Sequence, residues 1–203
     1  FAECHRLVEV YIATVVEYRP PTMELHLGLT FRLDTGDGII NLIGQLGVQV
    51  SSAGPAVEGA IGMVGDWRNP FGVEGLTLSL LIVQLGLTPK APFISKLALA
   101  AKLRIGRTDL EIAAKVDLND PSKNGFVGDV RNLNMMDVVG TLTGPHNTVP
   151  RSLTPGLSGM QLDHFRMSVI PNPPLDIEIN GTGVRYNDEG VTAICDLNLW
   201  GFE

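Results

Sequence analysis

Met23-Glu-Leu-His-Leu-Gly-Leu-Thr-Phe-Arg-Leu33 carries an apolar side chain at every odd position and a polar or small residue at every even one. A period of two belongs to extended chain, whose successive side chains point to opposite faces of a sheet. The expectation is a half-buried antiparallel strand, with its even residues toward water. The same period returns on the C-terminal side at Ile40, Leu42, Leu46, Val48 and Val50, and again at Val57, Ile61 and Met63. Leu76, Leu78 and Leu80 alternate, then hand over to Leu81, Val83, Leu85 and Leu87; this slip of phase predicts a β-bulge at Leu80-Leu81. Residues 97–105 and 110–118 repeat the alternation. Met160 and Leu162 slip to Phe165, Met167 and Val169 at a second predicted bulge, and residues 175–179 and 193–199 complete the set. On the N-terminal side, residues 7–16 are read as a strand buried on both faces or a short helix, and their β-branched residues favour strand. Turn residues separate the runs at 34–38, 53–55, 106–109, 119–125 and 187–190. The predicted class is all-β with mostly antiparallel strands.

A longer pattern overlies the alternation. Ala60-Ile-Gly-Met-Val-Gly-Asp-Trp67 aligns without gaps to Ala193-Ile-Cys-Asp-Leu-Asn-Leu-Trp200, and Ala114-Lys-Val-Asp-Leu-Asn119 shares four residues with the second of these. We read three diverged strand–link–hairpin repeats at 23–67, 75–121 and 159–203, with residues 122–158 as an insertion or loop. Stacked repeats would give an elongated array or sandwich; closure around a pseudo-threefold axis would give a barrel or prism. Residues 140–159, with Pro145, Pro150 and Pro155, lack periodicity and form a candidate binding loop.

The 203 residues fit a single β-rich domain or a segment of a larger protein, as the first residue, Phe1, also suggests. Lys and Arg number 15 against 22 Asp and Glu, so the net charge of −7 argues against nucleic acid, which needs clustered cations. No apolar run reaches the roughly 18–20 residues of a transmembrane helix, so no transmembrane segment is expected. Cys4 and Cys195 lie near opposite ends and would clamp the termini in an oxidising compartment. Asn180-Gly-Thr182 reads as a glycosylation acceptor in a turn. Together these two features set the expectation of an extracellular or secreted protein.

Motifs that carry chemistry are sparse. Asp34-Thr-Gly36 matches the core triplet of aspartic peptidases, and residues 105–109 resemble a second retropepsin-like segment around Asp109. Such enzymes pair two carboxylates over one water. Here Asp37 follows the triplet where a small or hydroxyl residue belongs, Arg32 replaces an apolar residue, and no second triplet exists. The competing reading is an Asp-rich hairpin turn. His5, His26, His146 and His164 are scattered without metal-ligand spacing, and no cofactor or metal site is expected. His26 is placed on a solvent face and His164 at the surface. His146 and Asn147 are candidate binding residues in the aperiodic segment. Trp67 and Trp200, at matching repeat positions, are candidates for stacking or for plugging the junction between repeats.

Three functions follow from these features. The first is a non-catalytic extracellular β-module with a structural, adhesive or self-assembly role, associating with other proteins or with itself. The second is a carrier of a lipid or other apolar ligand, its strongly aliphatic strands lining a cavity. The third is a peptidase-like enzyme using Asp34.

Overall fold

The structure, a computed structural model, describes residues 6–18, 21–35, 38–52, 54–89, 93–143, 154–171 and 174–199. Its strands are β1 (Arg6–Tyr18), β2 (Pro21–Asp34), β3 (Ile39–Ser51), β4 (Gly54–Arg68), β5 (Leu76–Leu87), β6 (Ile94–Ile105), β7 (Thr108–Asp117), β8 (Gly125–Asn134), β9 (Met160–Ile170), β10 (Leu175–Ile179), β11 (Thr182–Tyr186) and β12 (Gly190–Leu199). Two short helices, α1 (Met135–Thr143) and α2 (Thr154–Ser158), lie between β8 and β9. Ten strands form one antiparallel sheet in the order β1 through β9, then β12. The all-β, antiparallel reading therefore holds. No closed barrel is found among the described residues, because β1 and β12 each have a neighbour on one side only.

The hairpin β10–β11 leaves the sheet and lies across one face of it, with β10 touching β4, β5, β6 and β7 in turn. Asn180 and Gly181 adopt positive φ of 51° and 72° at its tip, the backbone of a two-residue Asn-Gly hairpin turn. Leu175, Ile177, Ile179 and Val184 of the hairpin bury against Ile43, Leu80, Ile82, Ala98, Ala100, Ala113, Val127 and Ile170 of the sheet. The sheet side of this core is rich in alanine, which lets the hairpin approach closely. Gly62 marks the tightest point, since a Cβ there would come within 2.6 Å of Ile179 Cγ2.

Several expectations need correction. The residues 23–33 that decide the fold do form a strand, but their apolar face is not the buried one: Met23, Leu29 and Phe31 are exposed, and Gly28 on the other face is buried. β1 is an edge strand with Val10, Ile12, Val15 and Val16 exposed, so neither face is buried. Residues 125–134, placed in the 122–158 insertion, form β8 inside the sheet. In the third proposed repeat, the middle strands leave the sheet as the hairpin, whereas β2–β4 and β5–β7 stay in it. Ala60 packs toward the hairpin while the aligned Ala193 pairs with Met167 on the opposite face. The first predicted bulge lies at Ser79, between Leu78 and Leu80, one residue from its expected place. The second falls at Asp163, which β12 skips between its partners His164 and Leu162.

Candidate functional site

Strand register converts the alternation into two faces of very different chemistry. On the face opposite the hairpin, one cross-strand row runs Val10, Leu29, Gly44, Ile61, Val83, Leu99, Ala114, Phe126, Val169, Val191 across all ten strands. A parallel row runs Phe31, Leu42, Met63, Leu81, Ala101, Ile112, Gly128, Met167, Ala193 from β2 to β12. Neither row holds an ionisable residue. Most of these side chains are exposed, Ile61 to 72% and Val191 to 78%, while Met63 and Ala101 are buried. Ten strands at ~4.8 Å spacing make this face about 43 Å wide, far beyond the scattered apolar residues of an ordinary soluble surface. Towards one end it thickens into a small cluster of Ile40, Met63 and Leu78, with Trp67, Leu33 and Leu103 packed against it.

The hairpin face is mostly polar where the hairpin does not cover it, with Val15, Ile39 and Ile194 as exposed exceptions. Its row Arg32, Asn41, Val64, Leu80, Lys102, Glu111, Asp129, Arg166, Ile194 carries charges of both signs. The charges are mutually engaged. Lys102 pairs with Glu111 at 3.2 Å and Arg104 with Asp109 at 2.7 Å. Asp129, nearly buried, is held by Arg131 at 2.9 Å and His164 at 3.3 Å. Tyr186 on the hairpin donates its hydroxyl hydrogen to Glu111. A cleft of about 240 Å³ opens near the hairpin tip between Tyr11, His26, Gln45, Glu58, Lys96 and Glu178. In the turn after β7, Ser122 donates to the Asp120 carboxylate, and Lys123 pairs with it. Together they hold that carboxyl below the usual range.

The candidate residues read from sequence do not converge. Asp34 ends β2 beside a turn in which Thr35 donates its backbone and side-chain hydrogens to the Gly38 carbonyl; Gly36 and Asp37 lie outside the described residues. Asp109, the second carboxylate considered, is engaged by Arg104. His26 does face solvent on the polar side, 3.2 Å from Glu24. His164, expected at the surface, is half-buried against Asp129. Trp67 is half-buried over the small end cluster. Asn180 is exposed at the hairpin tip, but its side-chain oxygen accepts from Gln45 and Tyr11. Cys195 is an exposed free thiol opposite Phe165 on the apolar face; Cys4, its proposed partner, lies outside the described residues, as do His5, His146, Asn147 and Trp200. Among the described residues, no three His, Cys, Asp or Glu side chains gather as a metal site requires, and no helix is long and apolar enough to cross a membrane.

The network around Asp129 escapes sequence reading because its members come from β8 and β9, with His164 35 residues from Asp129. The apolar face was visible as alternation, though assigned to a core. The chain matches no family model, no curated protein and no solved structure in the comparisons made with each.

Proposed function

We propose that the protein works without catalysis, by presenting its uncharged sheet face to the acyl chains of lipids. This reading keeps the apolar-ligand expectation but moves the ligand from an internal cavity to the outside of the sheet, where Leu81, Val83, Leu85 and Leu99 lie. The observation that carries it is the row of ten uncharged residues running from Val10 on β1 to Val191 on β12. A protein partner would call for a different surface. Protein interfaces have polar rims and are enriched in aromatic residues, Met and Arg. Tyr11 and Tyr186 instead serve the hairpin side, and the rows above are aliphatic with an occasional Phe or Met. Hydrocarbon demands only that charge be absent.

The test is flotation with phosphatidylcholine vesicles after refolding from urea in their presence. The wild type is expected to float. Leu85→Glu and Ile112→Glu, at exposed positions on β5 and β7, are each expected to weaken vesicle partitioning several-fold, since a charge on a lipid-facing strand costs about 2–4 kcal/mol for Arg or Lys at the bilayer centre and less for Glu. Thr192→Glu, on the hairpin side of β12, should float as the wild type does. Equal loss in all three variants, or a wild type that stays at the bottom, contradicts the reading.

Self-association remains the second reading, favoured by the edges β1 and β12, each paired on one side only among the described residues, which offer backbone groups to another copy. A light-scattering mass of one chain across a wide concentration range in detergent would exclude it.

A further inference from the structure

We infer that the sheet crosses the bilayer, with its strands as the membrane-spanning segments, and does not merely lie on a lipid surface. This rests on the lipid-contact reading above and asks more of the molecule. The first argument is length. The sheet strands run from 10 to 15 residues, and a tilted strand needs about 9–11 residues to cross the hydrocarbon. Along β2 the apolar positions extend without a break from Met23 to Leu33, about 34 Å of extended chain. The second argument is where polarity resumes on the lipid side. Charged and amide residues are absent from the register-paired positions of the two lipid-side rows and return in the connections at both ends of the strands: Asn69 and Arg107 at one end, Asn119, Asp120 and Lys123 at the other. A sheet lying flat would have no reason to keep polar residues off the lipid face over one bilayer thickness and restore them at both limits. The third argument is the opposite face. Several of its charges are already paired with one another and with the hairpin, through Lys102–Glu111, Asp129 with Arg131 and His164, and Tyr186–Glu111. Apolar outward and polar inward with a period of two is the pattern of membrane-spanning strands.

Spanning imposes one further condition. Hydrocarbon offers no hydrogen bonds, so the free backbone groups of β1 and β12 must be paired inside the bilayer. Ten antiparallel strands leave these two edges running in opposite senses, which suits an antiparallel β1–β12 ladder, whether both strands come from one chain or from neighbouring copies.

The experiment places single cysteines at opposite ends of the strands in the full chain. Arg107→Cys sits in the β6–β7 turn and Asn119→Cys in the β7–β8 connection, both exposed, in a background with Cys4→Ser and Cys195→Ser. Each variant is refolded into sealed phosphatidylcholine vesicles, floated, and treated with a membrane-impermeant maleimide before and after detergent. Spanning predicts complementary extents, so that the fraction labelled from outside at one end equals the fraction protected at the other, and detergent makes both complete. Complete labelling of both variants from outside, on protein that floats, overturns spanning and leaves lipid contact standing. Failure of the cysteine-free parent to float overturns the lipid-contact reading itself.

Discussion

Gly62 shows how much of the architecture depends on a missing methyl group. The hairpin seats against β4 only because nothing projects there toward Ile179. A valine would have to displace the hairpin or the strand, and overpacking of this kind costs about 1–3 kcal/mol. Gly62→Val should therefore lower the urea midpoint of the detergent-folded protein while leaving vesicle flotation intact, because the apolar rows on the opposite face are untouched. A midpoint equal to the wild type's would mean that the hairpin is not seated as described. At this scale little was legible beforehand. The alanines at 98, 100 and 113 fall between the alternating positions of 97–105 and 110–118, yet they are fully buried core. Asp129 and His164 meet only because β8 and β9 pair, and no local spacing announces a contact made across two strands and their long connection.

Elements were more legible than residues, since period two survives wherever apolar residues alternate. The strands through 23–33, 76–87, 97–105 and 110–118 were readable for that reason, and both bulges showed as slips of phase. β8 was hidden because its sequence, Gly125-Phe-Val-Gly-Asp-Val-Arg131, breaks the pattern with glycines and charges. The Asp and Arg there face the hairpin side, and Gly128 occupies a position on the apolar face. The hairpin β10–β11 looked like any other pair of strands, and nothing in its alternation says that it leaves the sheet. The edges carry their own prediction. Without lipid, the outward-facing amides of β1 and β12 should exchange with deuterium quickly, while those of β5, paired on both sides, are protected. In vesicles the two edges should gain protection by many-fold, read by exchange with mass spectrometry. Edges that exchange as fast in vesicles as outside them would contradict spanning, and a cross-linked mass of one or two chains would identify the partner.

For the whole molecule, alternation defines two faces without saying which one is wet. The pattern of Met23–Leu33 is the same whether its odd side chains fill a core or meet hydrocarbon, so the sequence admits both. Deciding between them takes the position of the hairpin, which buries the opposite face with smaller residues. A search for transmembrane helices is silent on the matter, because strands cross with alternating sequence and never build a long apolar run. Net charge and low aromatic content likewise fit either solvent. The central claim is that odd and even positions of one strand see different media, and β5 tests it most directly. A small environment-sensitive fluorophore would be attached in turn to single cysteines replacing Leu81, Ile82, Val83, Gln84 and Leu85, in vesicles containing lipids brominated along the acyl chains. The account predicts quenching with a period of two, strong at 81, 83 and 85 and weak at 82 and 84. Weak quenching at all five positions, on protein that floats, would contradict it.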